Sequence, residues 1–94
     1  MALLDETEIQ NKLKNFSGWN YSDKQIEKEY KLKDFVTAID FVNRIGIDAE
    51  AMNHHPDIFI HSYNKVKISI STHSEGGITE KDFYLAKKIE DKNK

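Results

Sequence analysis

The chain has 94 residues, with 16 acidic and 14 basic side chains, four histidines, one proline and no cysteine. This length fits a single domain over residues 1–94, and the lack of cysteine excludes disulfide bonds, thiolate metal sites and a cysteine nucleophile. A net charge of −2 gives no footprint for binding nucleic acid, and no apolar run approaches the ~20 residues that span a membrane. The sequence turns acidic at Asp5, before a secretory signal could form, so we expect a cytoplasmic globular protein.

The first third of the chain predicts a helix followed by a β-hairpin. Asp5 is placed to cap the helix with Glu8 as its capping-box partner, and apolar residues recur at helical spacing as far as Phe16. Apolar and polar residues then alternate over residues 19–21 and again over residues 26–32, with a polar turn between them. Alternation of this kind is typical of half-buried strands, so the pair is predicted to form a hairpin.

The longest periodic segment begins at Asp34 and predicts a second helix. Apolar residues recur there at steps of three and four to about Asn53, and Pro56 prevents the helix from continuing. Gly46 lies inside this segment, where glycine predicts a bend or the close approach of another backbone.

The rest of the chain predicts two more strands and a last helix. Residues 58–60 suggest a short strand, residues 66–70 alternate more clearly, and Thr79 caps the helix with Asp82 as its capping-box partner. The order is therefore α-β-β-α-β-β-α. It favours an α+β fold, a two-layer sandwich in which a four-stranded antiparallel sheet carries three helices on one face.

Three histidines stand where strands and helices end. His54 and His55 precede Pro56 at the end of the long helix, and His73 follows the clearest strand. Adjacent helical residues point ~100° apart, so the pair cannot be buried on one face. Imidazoles ordinarily titrate near pH ~6.5, which suits proton transfer near neutrality. His61 is interpreted as a solvated surface residue.

Two simpler interpretations stay open for the histidine pair. A histidine near a helix C-terminus can serve only to stabilise the helix dipole. The pair could also bind zinc with an oxygen from Glu50 or Asp57, although no two histidines have the spacing at which one helix supplies two ligands. Glu50 lies four residues before His54, so their side chains are expected to meet.

The spacing of these residues resembles that of the pterin-4a-carbinolamine dehydratases. Three residues separate Glu50 from the His-His-Pro unit at 54–56, nine separate Tyr63 from His73, and eight separate His73 from Asp82. The Gly-Trp pair at 18–19 and the order of elements are also similar to those of the family, so the resemblance covers nearly the whole chain.

The sequence departs from the family pattern at one point. Six residues stand between Pro56 and Tyr63, where the family usually has five. We expect the extra residue to lie in the turn between two strands, where insertions are tolerated. An extra residue inside the strand would instead reverse which of its side chains face inward.

The resemblance implies an activity and a set of catalytic residues. The family dehydrates 4a-hydroxytetrahydropterin to quinonoid dihydropterin and water, a step in tetrahydrobiopterin recycling. By this resemblance His54 and His55 flank the C4a–N5 edge of the pterin. One protonates the departing hydroxyl and the other receives the N5 proton, while His73 acts as a second acid or as a binding group.

The resemblance also implies substrate contacts and partners. The pterin would be bound by residues on several elements: Glu50, Ser71, Thr72, Asp82 and Trp19. No metal and no cofactor besides the pterin substrate is expected, and self-association to a homodimer or homotetramer would use the long helix. The alternatives are a dimerisation or transcription-coactivator module without catalysis and a histidine metal-binding protein.

Overall fold

Residues 2–93 are described by a computed structural model. The elements are α1 (Glu6–Leu13), β1 (Asn20–Ser22), β2 (Gln25–Lys31), α2 (Phe35–Met52), β3 (Asp57–His61), β4 (Lys65–Ile70) and α3 (Glu80–Lys92), with a short 3₁₀ helix at His73–Glu75. The strands form one antiparallel sheet in the order β1-β2-β4-β3. The predicted α+β fold and its order of elements are confirmed.

The hydrophobic core lies between the helices and one face of the sheet. Alternate residues of β2 and β4 point into it, as the sequence alternation predicts. The fully buried members are Ile26, Val66, Ile68, Ile70, Ala38, Ile45, Leu85, Ala86 and Ile89. Because the central strands β2 and β4 are both buried on this face, the segment that follows β4 begins at the packed core.

Side-chain caps fix where the helices begin. Asp5 and Glu8 form the predicted capping box of α1, and Thr79 and Asp82 form that of α3. The Asp34 carboxylate accepts from the Thr37 N–H in the first turn of α2, and hydrogen bonding from the side chain and the backbone of Thr37 lowers the pKa of Asp34. No helix within residues 2–93 has the length and apolar character needed to cross a bilayer.

One local prediction for the helices is wrong. α1 ends at Leu13, earlier than its apolar spacing predicts, and Phe16 reaches the core from the following turn, with its ring 5.3 Å from that of Phe83. At Gly46 a built Cβ would meet nothing within 4 Å, so no other backbone among residues 2–93 approaches it closely. Gly46 therefore faces open space, and the alternative of a bend there stays a prediction.

The turn between β3 and β4 has an unusual backbone. Ser62 and Tyr63 both take left-handed conformations, with φ of 50° and 55°. Ile58 pairs with Ile68 and packs against the core, so the inward face of β3 carries apolar residues. That the extra residue of this sequence lies in this turn stays a prediction, and an apolar inward face on β3 is consistent with it.

A polar cluster ties the end of α3 to the sheet. Lys28 Nζ lies 3.0 Å from the Glu90 carboxylate and donates to the Ser17 carbonyl at 2.9 Å. The Tyr30 hydroxyl donates to the same carboxylate, and burial together with this carboxylate raises the pKa of Tyr30 well above its usual range. One carboxylate thus satisfies the hydroxyl of a buried tyrosine and a partly buried ammonium.

We expect Glu90→Gln to lower the free energy of unfolding by about 1–3 kcal/mol, because the Lys28 ammonium loses its ionic partner while still half-buried. Urea unfolding followed by circular dichroism measures this change. The matched control is Glu80→Gln, which removes an exposed partner of Lys12 and should cost no more than about 1 kcal/mol. Equal effects of the two substitutions would contradict a structural role for the cluster.

Candidate active site

The long helix ends just before the histidine pair. Asn53 takes the left-handed conformation with φ of 52°, which asparagine tolerates better than most residues. The His54 N–H donates to the Ala49 carbonyl at 3.0 Å and closes the last turn. Pro56 then leads into β3. After this turn His54 is buried and His55 is exposed.

His54 forms a buried pair with Asp82. His54 is only 7% exposed, and its Nε2 lies 2.6 Å from Oδ1 of Asp82. Asp82 itself is 0% exposed. An ionised carboxylate only accepts hydrogen bonds, so when Asp82 is ionised Nε2 of His54 is the donor, and in the neutral imidazole Nδ1 then keeps its lone pair. The pair joins the end of α2 to the first turn of α3.

Two threonines complete the surroundings of Asp82. Its Oδ2 accepts from the Thr79 N–H and from the Thr72 hydroxyl, each at 2.8 Å. The two threonine hydroxyls also lie 2.8 Å apart. Asp82 therefore caps α3, as the sequence predicts, and also holds His54, a contact that the sequence reasoning did not predict.

His55 pairs with Glu50, which the sequence assigned to His54. The distance from His55 Nε2 to Glu50 Oε1 is 2.8 Å, and both side chains are exposed. The prediction of a Glu50–His54 contact is wrong because the turn at Asn53 takes His54 off the helical spacing and buries it. Glu50 can orient the His55 imidazole, but an exposed pair contributes little stability.

His73 stands on a short loop closed across its base. The Thr72 N–H donates to the Gly77 carbonyl at 2.8 Å, and Gly76 turns the chain with φ of 73°. The loop holds the 3₁₀ helix, and His73 is exposed at its start. Within the part of the chain that the structure describes, its imidazole has no hydrogen-bond partner. Both ring nitrogens of His73 are thus available to a ligand.

All three predicted histidines line one cleft. This histidine cleft has a volume of about 320 Å³, within the range of small-molecule sites. Its lining residues are mostly polar: Asn53, His54, His55, Ser71, Thr72, His73, Ser74 and Lys81. Helix end, strand end and loop therefore converge as the spacing of the motif implies.

Two of the five predicted substrate contacts, Ser71 and Thr72, line the histidine cleft, whereas Glu50, Asp82 and Trp19 are not among its lining residues within residues 2–93. The Ser71 hydroxyl is unpartnered in the described part of the chain. The Thr72 hydroxyl is bonded to Asp82, so it is not free to donate to a ligand. Asp82 is fully buried and Trp19 is 4% exposed in the hydrophobic core, so the structure does not support a direct substrate contact for either residue.

The sequence reasoning missed four residues at the site. Lys81, Ser74 and Asn53 line the cleft, and Thr79 supports Asp82 from below. Lys81 and Thr79 precede Asp82 by one and three residues, so their nearness in the chain was an available signal. Nothing in the pattern of apolar residues points to Asn53 or Ser74.

His61 lies apart from this cleft on the outward face of the sheet. Its Nε2 is 2.5 Å from Oε1 of Glu29, and its ring stacks on Phe59 with centroids 5.0 Å apart. Hydrogen bonding to His61 lowers the pKa of Glu29. His61 is thus a partly exposed residue with structural partners.

The arrangement of the paired side chains bears on the zinc alternative. Within residues 2–93 no three histidine or carboxylate side chains come together in a way that could hold a metal ion. The Nε2 atoms of His54 and His55 point to separate carboxylates, on Asp82 and Glu50. What the cleft offers chemically is a set of imidazoles suited to moving protons.

Comparison with known proteins identifies the family that the spacing of the motif resembles. A sequence model of the family described as pterin 4 alpha carbinolamine dehydratase matches residues 2–92. A Herpetosiphon aurantiacus protein is 53% identical over 90 residues, covering 96% of this chain and 93% of its own. A Sulfolobus acidocaldarius protein is 49% identical over 86 residues, covering 92% and 93%. Both carry the provisional name pterin-4-alpha-carbinolamine dehydratase.

A solved structure extends the likeness to the fold. The crystal structure of a Brucella melitensis protein described as a transcriptional coactivator/pterin dehydratase aligns with a TM-score of 0.91 and 36% identity. The alignment covers 97% of this chain and 98% of that one. Fold and cleft define a small α+β protein with a histidine site at one end of its sheet.

The chain belongs to the pterin-4a-carbinolamine dehydratase family. Membership makes it an enzyme of that dehydratase type, a lyase.

Proposed function

We propose that the histidine cleft dehydrates 4a-hydroxytetrahydropterin by general acid–base catalysis and so serves pterin recycling. The observation that carries this proposal is the convergence of His54, His55 and His73 on one cleft, with a buried carboxylate on one of them. General acids and bases placed at a reacting edge each contribute ~10²–10⁴-fold.

The reaction needs one proton delivered and one removed. The C4a–O bond breaks and the hydroxyl leaves as water after taking up a proton. The electrons of the N5–H bond form the N5=C4a double bond, and the N5 proton passes to a base. Only protons move and no electron or group is transferred, so the proposal includes no cofactor beyond the pterin substrate.

His54 is proposed as the base that receives the N5 proton. Asp82 holds the proton on Nε2, so Nδ1 is the nitrogen with a free lone pair. Once Nδ1 is protonated, the buried Asp82 carboxylate stabilises the resulting imidazolium, as a carboxylate does for the histidine of a hydrolase triad. Asp82 is thus a positioning residue.

His73 and His55 are proposed as the acids that protonate the departing hydroxyl. Both are exposed, so they can recover a proton from water after each turnover. His73 has both nitrogens free in the described part of the chain, and His55 keeps one nitrogen free of Glu50. Having two acids in one cleft would leave residual activity when either is removed.

Stopped-flow spectroscopy of carbinolamine decay at neutral pH tests the proposed function. The purified protein should accelerate decay well above the rate in buffer, and the acceleration should survive treatment with EDTA. A rate equal to that in buffer would overturn the dehydratase proposal. Loss of the rate with EDTA, restored by zinc, would favour the metal alternative.

Self-association through the long helix is a second part of the proposal. Three apolar side chains of α2 share its outward side and are exposed, Val36 at 75%, Ile47 at 71% and Ile39 at 38%. Gly46 lies beside them with open space above it. An apolar stripe on a helix that nothing among residues 2–93 covers is typical of a surface that packs against another copy.

We expect Ile47→Glu to shift the protein toward monomer, because a charge would be desolvated in the contact. Light scattering after size-exclusion chromatography measures the mass of the wild type and the variant. Gln10→Glu, an exposed change on α1, is the matched control. A monomeric wild type, or an oligomer unaffected by Ile47→Glu, would contradict self-association through α2.

A further inference from the structure

A groove between α1 and α3 adjoins the histidine cleft but is not used by the proposed mechanism. This α1–α3 groove has a volume of about 360 Å³, within the range of small-molecule sites. Lys12 and Phe16 form one side of it, and side chains of α3 between Glu80 and Lys87 form the other. Lys81 lines both spaces, so the groove and the histidine cleft meet at that residue.

Three aromatic rings make the lining of the groove apolar. The rings of Phe16 and Phe83 are tilted against each other, and Phe83 is only 5% exposed, so this part of the lining is held by the core. Tyr84 also lines the groove but is 63% exposed, and within residues 2–93 its hydroxyl makes no hydrogen bond. The fold therefore leaves an aromatic ring uncovered beside two packed ones, where an aromatic ligand can stack.

Ammonium groups line the same groove. Three lysines and one glutamate give its lining a charge of +2, in a chain whose net charge is −2. Lys81 makes no hydrogen bond or ion pair in the described part of the chain. Lys12 pairs with Glu80 at 2.8 Å, and Lys87 pairs with Asp91 at 3.0 Å. Both pairs are exposed and weak, and each ammonium keeps donors for another acceptor, so the groove is complementary to an anion.

Rings and charges together select one class of ligand. The lysines repel a cation, and an uncharged aromatic molecule gains nothing from them. An anion without a ring leaves the exposed Tyr84 ring uncovered. A flat aromatic molecule that carries a carboxylate uses both features, and Lys81 is the ammonium that can pair with it without giving up an internal contact.

We propose that the α1–α3 groove is a second binding site, for a small aromatic carboxylate whose ring stacks on Tyr84 and whose carboxylate pairs with Lys81. The inference goes beyond the proposed function and does not rest on it, because no step of it requires turnover of a pterin. The two sites differ in chemistry, since the lining of the histidine cleft is mostly polar and that of the groove combines rings with ammonium groups.

Titration with 2-naphthoate, followed by NMR of the backbone amides, tests this site. We expect saturable binding with a Kd on the order of 1 mM or below, as the size of the probe allows, and the largest shifts at residues 80–87. Two matched probes separate the two features. 2-Naphthylmethanol has the ring without the charge, and cyclohexanecarboxylate has the charge without an aromatic ring. Each should bind at least about 2–5-fold more weakly than 2-naphthoate.

Substitutions then locate the probe on the molecule. Tyr84→Ala should raise the Kd for 2-naphthoate about 3–10-fold through lost stacking, and Lys81→Gln about 2–5-fold through a lost exposed ion pair. The matched controls are Tyr63→Ala, which removes a tyrosine that is 64% exposed, and Lys33→Gln, which removes an exposed lysine outside the groove. Both controls should leave the Kd as it is, and so should His73→Ala in the histidine cleft.

The outcomes that would overturn this site are distinct from failure of the dehydratase proposal. They are a wild type that shows no saturable binding, a Kd unchanged in both Tyr84→Ala and Lys81→Gln, and a Kd raised by His73→Ala, which would place the probe in the histidine cleft. Light scattering adds one more. A lower mass for Tyr84→Ala than for the wild type would show that a second copy of the chain covers the groove instead.

Discussion

His73→Ala should lower kcat for carbinolamine dehydration by about 10²-fold while leaving the fold intact. The expected loss lies at the lower end of the range for a general acid because His55 remains in the cleft as a second acid. The His73 side chain is exposed on its loop and unpartnered among residues 2–93, so its truncation should change the free energy of unfolding by less than about 0.5 kcal/mol. Stopped-flow kinetics and urea unfolding measure the two quantities.

His61→Ala is the matched control for this substitution. It removes an imidazole that is also partly exposed, but one that lies on the outward face of the sheet with Glu29 and Phe59. Its kcat should equal that of the wild type. Equal rates for His73→Ala and His61→Ala would contradict a catalytic role for His73.

Asp82→Asn should impair both stability and catalysis. The neutral amide accepts weaker hydrogen bonds from Thr79 and Thr72, and its NH₂ group cannot accept from either. A loss of about 1–3 kcal/mol in the free energy of unfolding is expected for a fully buried group whose charged hydrogen bonds are removed. The expected fall in kcat is about 10²–10⁴-fold, since His54 loses the partner that fixes its tautomer.

Nitrogen NMR of the imidazole distinguishes positioning from a purely structural role. In the wild type the proton should reside on Nε2 of His54, and in Asp82→Asn it should move to Nδ1 or exchange between the two nitrogens. Asp40→Asn, an exposed carboxylate paired with Arg44, is the control and should leave stability, rate and tautomer unchanged. A lowered kcat with the tautomer of His54 unchanged would contradict the positioning role of Asp82.

Much of the fold follows from the sequence because its signals are local. The capping box of Asp5 with Glu8 and the alternation of Val66, Ile68 and Ile70 each depend on residues close in the chain. Such signals specify where elements begin and which faces are apolar. The convergence of the histidines was also expected, but from the family's spacing.

The errors arise at one turn residue and at one large side chain, each of which overrides the local sequence pattern. Helical spacing places Glu50 beside His54, but the left-handed Asn53 removes His54 from the helix and leaves Glu50 to pair with His55. Trp19 was expected near the pterin, but the hydrophobic effect buries its large ring in the core. Neither outcome is visible in apolar periodicity.

A crystal structure of the protein with a dihydropterin bound tests most directly whether the histidine cleft is the site of the chemistry. The proposed mechanism predicts that the C4a–N5 edge lies at hydrogen-bond distance, about 3 Å, from the imidazoles of His54 and His73. It would be contradicted by a pterin seated instead in the more apolar groove between α1 and α3, lined by Phe16, Phe83 and Tyr84.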